Sequence, residues 1–294
     1  MKTVKKKAYG KINIFLDIES RKADGYHNIK SIMQTVDWYD EISVQNRTDS
    51  EIKISCSNSQ IPCDKSNISY KVAKAFLDEI GSTSGVNIHI EKNIPISAGM
   101  AGGSADGAAT LGALNELFNI PLSTENLISI SKSIGADIPF CLIGGTKLIG
   151  GIGDIIEDTD SNLPNCFILC AKQDGQNIST PVAYKELDII HQNFTSYSHH
   201  KTLLDNILLG IKEQNITTIS QNVYNIFEET ESARLANIAQ IKDVMLKSGA
   251  LCALMSGSGP SVFGIFTDEE KANFACGTLL NSKIQARVCK PINK

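Results

Sequence analysis

The segment 93–110 carries the residues whose types and spacing most directly suggest chemistry. Its middle, residues 99–104, is rich in glycine and other small residues. An alternating apolar run at Val86, Ile88 and Ile90 predicts a strand before this loop, and apolar residues at helical spacing predict a helix after it. A small-residue loop that leads into a helix presents unpaired N–H groups, and the helix dipole adds partial positive charge. We therefore predict a nucleotide-phosphate cradle centred on residues 99–104.

This loop matches neither of the two best-known phosphate motifs. No Gly-Lys-Ser/Thr follows its glycines, as a Walker A loop requires, and the Rossmann spacing is missing. The alternative is a flexible strand-to-helix connection. Small residues continue from Ser104 through Ala109 into the predicted helix. A simple connection does not require small residues at the start of the helix, so this continuation favours the cradle.

Polar residues on a predicted N-terminal strand could serve the same ligand. Residues 8–19 alternate between apolar and polar types and predict a strand. Lys11 and Asn13 lie two residues apart, so they point to the same side of that strand. Either they belong to one site or they form a solvated face, and this segment alone does not decide between the two.

Two further short segments could carry functional groups. Asp24-Gly25 marks a turn, and Tyr26 and His27 beside it offer a stacking ring and an imidazole, which suit a nucleobase but also an ordinary strand edge. Asp137 lies at an element boundary, between a glycine and a proline. It is a helix cap or a functional acid, and the residues alone favour the cap.

Composition limits the class of protein. The chain has 294 residues, which is enough for two domains or one large domain, and its 42% of apolar residues support a sizeable core. Its net charge of −4 disfavours nucleic-acid binding. Eight cysteines without a Cys-x-x-Cys pair indicate core thiols in a reducing compartment. Because no long apolar segment is present, we expect no membrane association and a cytoplasmic location.

The order of elements predicts an α+β fold. We predict strands over 29–36 and 41–55, joined by a polar turn, and a domain boundary that separates residues 1–160 from 161–294. The second half predicts a split βαβ, ferredoxin-like arrangement. Its turn at 256–260 is a second glycine-rich loop, either a tight hairpin or a lid near the phosphates.

Three of these segments, in this order, resemble the motifs of the GHMP kinase superfamily. They are the strand with Lys11, the loop from Pro95 to Ser104, and the turn that continues to Ser261. The resemblance implies a two-domain GHMP kinase fold, with an N-terminal ribosomal-protein-S5-like α/β domain and a C-terminal ferredoxin-like domain. Segments 10–16, 24–27, 135–140 and 180–182 resemble, more narrowly, the members that phosphorylate cytidine-diphosphate methylerythritol in the non-mevalonate isoprenoid pathway.

The resemblance also implies roles for individual residues. Asp137 would be the general base on the 2-hydroxyl of the substrate, which replaces the cap interpretation. Lys11 would stabilise the ionised carboxylate and the developing alkoxide. The substrate-binding residues that it implies are Asn13 for the methylerythritol part, His27 for hydrogen bonding to cytosine, Tyr26 and Tyr184 for stacking on both faces of the base, and Thr180.

ATP is the implied cofactor, with Mg²⁺ carried on its phosphates and no separate metal site. The implied ATP-binding residues are Pro95, Ile96, Ser97, Ala98, Gly99, Met100, Ala101, Gly102, Gly103, Ser104 and Ala105, with Asn67 and Ile68 at the adenine. Ser104 would lie next to the metal. The chain departs from the superfamily at Ser97, Ala98 and Ala101, which replace common glycines, and at Met100, which replaces a leucine.

Two other interpretations compete with this one. One is a different kinase of the superfamily, for homoserine or mevalonate, which would lack a cytidine pocket. The other is a non-catalytic nucleotide-binding module, which would need neither Lys11 nor Asp137. The partner that we expect is a small-molecule substrate, and we expect the chain to be a monomer or a weak homodimer.

Overall fold

The computed structural model describes residues 2–195, 199–235 and 237–293. The chain forms two compact units, each built from several stretches of sequence. The first unit comprises Met1–Gly10, Trp38–Ile94 and Ala101–Ile143, and the second comprises Lys11–Asp37, Pro95–Met100 and Gly144–Lys294. The predicted domains, 1–160 and 161–294, are continuous in sequence and stay a prediction.

The first unit combines strands with four helices. Its elements are the start of β1 (Thr3–Arg21), the end of β2 (His27–Asn46), β3 (Ile52–Cys56), α1 (Ile68–Glu79), β4 (Val86–Glu91), α2 (Gly102–Leu117), α3 (Thr124–Ser131) and α4 (Ile138–Ile143). Strand β4 pairs antiparallel with β2, from Glu41↔Glu91 onwards, and parallel with β3, from Ile52↔Val86 onwards.

The core of the first unit follows from the two periodicities of its sequence. The apolar stripe of α1 and the inward residues of β4 are buried together with the leucines of α2. Helix α3 begins at a capping box, in which Ser123 and Asn126 satisfy each other's backbone N–H groups. The predicted strand, loop and helix around residues 93–110 are therefore confirmed.

The second unit contains the remaining elements. They are β5 (Thr146–Gly150), β6 (Ile155–Asp158), β7 (Phe167–Gln173), α5 (Thr180–Ile190), α6 (Lys201–Lys212), α7 (Ile216–Gln221), β8 (Tyr224–Asn225), α8 (Glu231–Leu235), α9 (Ile238–Lys247), β9 (Cys252–Met255), β10 (Val262–Phe266), α10 (Glu269–Asn281) and β11 (Ile284–Cys289). Four of these strands form an antiparallel sheet in the order β11-β7-β10-β9. This strand order and the β-α-β-β-α-β connection confirm the ferredoxin-like arrangement.

The prediction of two strands over 29–36 and 41–55 was wrong. Residues 27–46 form one continuous strand, β2, and β3 is a separate short strand. Asp40, a polar residue at the predicted turn, has its partners outside the strand, at residues 92–94. Asp40 is fully buried, where its carboxylate accepts hydrogen bonds from the N–H groups of Asn93 and Ile94 and pairs with Lys92. Since its polar atoms are satisfied inside, Asp40 does not interrupt the strand.

Within the described ranges, no helix combines the length and the apolar character that crossing a bilayer requires.

Candidate active site

The backbone of residues 95–101 alternates in handedness. The φ angle is positive at Ser97 (50°), Gly99 (71°) and Ala101 (55°), and it is not positive at the residues between them. Alternation of this kind turns successive N–H groups to one side and forms an anion-binding concavity. Two of the three left-handed positions carry a side chain, and they are two of the positions where the chain departs from the common glycines.

Donors from the second unit hold the carbonyl oxygens at the end of this loop. The Lys11 ammonium lies 3.0 Å from the Gly99 oxygen, and the Ser256 hydroxyl lies 3.2 Å from the same oxygen. The backbone N–H of Lys11 donates to the Met100 oxygen at 3.1 Å. Lys11 and the loop, 88 residues apart in sequence, therefore form one structure.

The earlier part of the loop is held in the same way. The buried Lys172 ammonium donates to the Ile96 oxygen and, at 3.2 Å, to the Asn177 side chain. Burial lowers the pKa of Lys172, and the nearby charge of Asp174 only partly offsets this effect. The N–H of Ser261 donates to the Ala98 oxygen at 3.3 Å.

These contacts leave the N–H groups of the loop available. Among the described residues of the second unit, no oxygen accepts a hydrogen bond from the backbone N–H groups of residues 97–100. With the oxygens of Ile96, Ala98, Gly99 and Met100 occupied and the N–H groups of residues 97–100 without a partner in the described part of this unit, the loop presents hydrogen-bond donors. A loop with this polarity suits a phosphate group.

Lys11 and Asn13 meet as the strand pattern predicted. The Lys11 ammonium is 2.7 Å from the Asn13 Oδ1, and the Asn13 amide donates to the Ser31 hydroxyl at 2.9 Å. Lys11 is only 4% exposed, and within the described part of its unit it forms no ion pair with a carboxylate. Its charge is therefore directed at neutral oxygens, which leaves it able to stabilise an anion.

The second glycine-rich loop is both a hairpin and a neighbour of the first loop. Ser256 and Ser261 close the β9–β10 turn through a backbone hydrogen bond of 2.9 Å. A Cβ added at Gly99 would lie 2.2 Å from the Ser256 carbonyl oxygen, so the two loops are in backbone contact. The Thr180 hydroxyl at the start of α5 is 2.7 Å from the Ser258 hydroxyl, which places this predicted substrate residue against the same turn.

His27 and Tyr184, which were predicted to contact the cytosine independently, instead contact each other. Their rings are stacked, with centroids 4.7 Å apart and an angle of 19° between planes. The His27 Nε2 lies 2.7 Å from the Asp188 carboxylate. Tyr26 is 62% exposed. The predicted stacking of cytosine between Tyr26 and Tyr184 stays a prediction, with one face of Tyr184 already covered by His27.

In the first unit, the start of α2 lies beside α1. A Cβ added at Gly103 would be 3.4 Å from the Ile68 side chain, and one at Gly107 would be 2.7 Å from it. Asn67 caps α1, because its side chain accepts from the Ser69 N–H at 2.8 Å. Asn67 and Ile68 thus border the helix start, although the Asn67 side chain is already used in capping.

Asp137 lies immediately before α4 in the first unit. Its backbone oxygen accepts the N–H of Cys141 at 3.1 Å, as the N-cap residue of a helix does. Its half-buried carboxylate accepts no hydrogen bond from a helix N–H among the described residues of this unit. A Cβ added at Gly135 would lie 3.7 Å from the Ser104 hydroxyl, so this segment packs near the start of α2.

Comparison with known proteins places this chain in a family. Residues 67–145 match the GHMP kinases N terminal domain, and residues 207–283 match the GHMP kinases C terminal domain. A 4-diphosphocytidyl-2-C-methyl-D-erythritol kinase of Caldicellulosiruptor bescii is 42% identical over 269 residues, which cover 92% of this chain and 91% of the relative. The kinase of the same name from Alkaliphilus oremlandii is 41% identical, over 94% of this chain and 92% of its own.

The chain belongs to the 4-diphosphocytidyl-2-C-methyl-D-erythritol kinase family. A crystal structure of 4-(cytidine 5'-diphospho)-2C-methyl-D-erythritol kinase matches this kinase with a TM-score of 0.81 at 24% identity, over 99% of this chain and 100% of the other. A homoserine kinase from Cytophaga hutchinsonii matches with a TM-score of 0.76 at 18% identity, over 100% and 96%. The expected GHMP kinase fold is confirmed.

Sequence reasoning missed a buried charge cluster in this kinase. The Lys92 ammonium lies between the carboxylates of Asp40 and Asp106, 2.9 Å from the latter. Burial raises the pKa of Asp106 to about 7, although the Lys92 charge opposes this shift. Burial alone would lower the pKa of Lys92, but the two carboxylates outweigh it and raise that pKa. The cluster borders the helix start, since a Cβ added at Gly102 would be 3.3 Å from the Lys92 ammonium.

Sequence reasoning also missed two residues that contact the predicted site residues Ile96 and His27. Lys172 lies on the apolar strand β7, and nothing in its neighbours signals its contact with Ile96, 76 residues away. Asp188 follows Tyr184 by one helical turn, so the two lie on one face of α5. That spacing is the signal by which a partner for the aromatic site could have been found.

Proposed function

We propose that this kinase transfers the γ-phosphoryl group of ATP to the 2-hydroxyl of 4-diphosphocytidyl-2-C-methyl-D-erythritol. Membership of the family supports this substrate, and membership of the GHMP kinases supports ATP as the donor. Homoserine and mevalonate kinases share the fold, with TM-scores of 0.76 and 0.75, so the fold alone does not select the acceptor.

One observation carries the proposal that this chain binds a nucleotide phosphate. The carbonyl oxygens of Ile96, Ala98, Gly99 and Met100 each accept a hydrogen bond, whereas the N–H groups of residues 97–100 donate to no oxygen in the described part of the second unit. Phosphoryl transfer asks a protein mainly for positioning and for stabilisation of charge on the phosphate oxygens. A loop held through its carbonyl oxygens, with N–H groups that have no partner there, supports both roles.

Lys11 and Asp137 take the two catalytic roles in this proposal. Asp137 accepts the proton of the acceptor hydroxyl, for which its carboxylate is suited because no helix N–H in the described part of its unit occupies it. Lys11 stabilises negative charge on the acceptor oxygen and on the transferred group. Its burial beside neutral oxygens supports that role, because a buried cation interacts strongly with an anion.

The cytidine part of the acceptor would be bound by the aromatic residues of the second unit. His27 is held between Tyr184 and Asp188, and the exposed ring of Tyr26 offers a face for stacking. Asn13 would bind the methylerythritol hydroxyls, and Thr180 would contact the diphosphate side of the molecule. The neighbouring Ser258 hydroxyl supports the position of Thr180 at the second loop.

ATP would bind along residues 95–105, with Asn67 and Ile68 beside the adenine. Magnesium would supply charge neutralisation on the phosphates, and Ser104 would lie next to it. Among the described residues, no three His, Cys, Asp or Glu side chains are grouped as a metal site requires. The monomeric or weakly dimeric state and the cytoplasmic location stay predictions.

A coupled assay of ATP consumption tests the proposal. ADP release should require 4-diphosphocytidyl-2-C-methyl-D-erythritol, called the cytidine compound below, and Lys11→Met should abolish this release. Lys201→Met removes a lysine that is 77% exposed and pairs with its helix neighbour Asp205, so it serves as the matched control and should retain activity. ADP release that does not depend on the cytidine compound, or a fully active Lys11→Met variant, would contradict the proposal.

A further inference from the structure

The carboxylate of Asp188 pairs with two side chains of the second unit. One oxygen is 2.7 Å from the His27 Nε2, and the other is 3.1 Å from the Arg21 Nε. The His27 side chain is 5% exposed and that of Asp188 is 16% exposed. Each oxygen of the carboxylate therefore has its own partner in a largely buried setting.

This pairing fixes the hydrogen on the imidazole of His27. An ionised carboxylate only accepts hydrogen bonds, so the Nε2 that faces it carries the hydrogen. In a neutral imidazole the other nitrogen, Nδ1, is then an acceptor. Among the described residues of the second unit, Nδ1 has no hydrogen-bond partner.

Aromatic contacts fix the plane of the ring. Tyr184 stacks on one face of His27, and Phe194 meets the ring edge-on at a centroid distance of 5.7 Å. Tyr184 in turn packs edge-on against Phe227, 4.9 Å away. The imidazole is therefore held both in its orientation and in its hydrogen position, as reading a hydrogen-bonding edge requires.

We propose that Asp188 is a positioning residue that makes His27 Nδ1 an acceptor and so selects an amino-pyrimidine over an oxo-pyrimidine. Cytosine carries an amino donor at the position where uracil carries a carbonyl oxygen. An acceptor nitrogen bonds to that amino group and faces the uracil oxygen as a second acceptor. This inference rests on the proposed function, in which His27 contacts the base.

The hydrogen position can be measured without any turnover. In ¹⁵N-histidine-labelled protein at pH 8, the His27 resonances should show the hydrogen entirely on Nε2. In Asp188→Ala they should move to the average of two exchanging tautomers, and in Asp188→Glu they should stay near those of the unchanged protein. Asp205→Ala, which removes an acid 53% exposed on α6, is the control and should leave them unchanged. A single Nε2-protonated tautomer in Asp188→Ala would overturn the inference.

The selectivity is measured as the ratio of kcat/KM for the cytidine compound to that for its uridine counterpart. Asp188→Ala should lower this ratio by about tenfold, since an unpaired acceptor edge is what penalises the wrong base. Asp188→Asn, a smaller change in shape, should lower it in the same direction. A ratio within twofold of the unchanged protein, in a variant whose tautomer has changed, would overturn the inference. If the unchanged kinase used neither compound, the proposed function would fail, while the tautomer measurement would still decide whether Asp188 positions His27.

Discussion

The Lys11 ammonium and the Gly99 carbonyl oxygen lie 3.0 Å apart, which joins the N-terminal strand to the loop at residues 95–101. Gly99 is enclosed at this point. A Cβ on it would lie 2.2 Å from the Ser256 oxygen, and its φ of +71° is one that side-chain-bearing residues rarely adopt. The geometry of the loop therefore depends on this glycine.

We expect Gly99→Ala to lower the free energy of unfolding by at least about 2 kcal/mol, from left-handed strain and overlap together. It should also raise KM for ATP, because the loop must move to make room. Urea denaturation and steady-state kinetics measure the two effects. Gly175→Ala is the matched control, since Gly175 has a φ of +73° but nothing within 4 Å of an added Cβ. Equal losses in the two variants would show that crowding at Gly99 contributes nothing.

The charge cluster around Lys92 should make stability depend on pH in a defined direction. Asp106 has a pKa of about 7 in the folded protein and an ordinary value of 3.8. The folded state therefore holds a proton that the unfolded state releases, so this contribution is complete below about pH 4 and is lost as the pH rises through 7. The free energy of unfolding of the unchanged protein, minus that of Asp106→Asn, should fall between pH 5 and pH 8 by at least about 1.4 kcal/mol. Urea titrations at both pH values measure it, and a difference that rises with pH would refute the assignment.

Removal of the proposed base should affect chemistry rather than nucleotide binding. We expect Asp137→Asn to lower kcat by at least about 10²-fold, the low end for the loss of a general base. ATP affinity, measured by calorimetry, should change little. Asp243→Asn removes an acid that is 55% exposed and pairs with Lys247, and it should leave kcat unchanged. A near-normal kcat in Asp137→Asn would exclude the role.

Loss of the exposed ring next to His27 should weaken acceptor binding selectively. Stacking of a base on an aromatic ring is worth about 1–3 kcal/mol, so Tyr26→Ala should raise KM for the cytidine compound roughly 5- to 150-fold. KM for ATP should be little affected, and the fold should be intact because Tyr26 is 62% exposed. Phe274→Ala removes another exposed aromatic residue, 70% exposed on α10, and is the control. If both variants raised KM for the cytidine compound equally, Tyr26 would have no specific role.

Much of the fold could be predicted because local pattern determines it. The periodicities around residues 93–110 predict the strand and the helix on either side of the loop. The spacing of Lys11 and Asn13 predicts that they share one side of their strand, where they are in contact. The single strand β2 could not be predicted, because its continuity depends on partners of Asp40 more than 50 residues away. Residue type favours a turn there, and tertiary hydrogen bonds override that preference.

Less of the site could be predicted from physics alone. Positive φ angles at Ser97 and Ala101 are not signalled by their side chains, since glycine is the residue that usually marks such positions. Lys172 and Asp188 contact residues 76 and 161 positions away in sequence, and a single sequence shows neither pairing, although the helical spacing of Tyr184 and Asp188 places both on one face of α5. The assignment of Asp137 as a base came from family resemblance, whereas its residue type and position favoured a cap.

Identification of the acceptor that this kinase phosphorylates tests the central claim most directly. The purified kinase should be given ATP with an equimolar mixture of the cytidine compound, homoserine and mevalonate, and the phosphorylated products identified by mass spectrometry. We predict that only the cytidine compound gains a phosphate and that ³¹P NMR places it on the 2-hydroxyl. Phosphorylation of homoserine or mevalonate, with the cytidine compound unchanged, would contradict the substrate assignment.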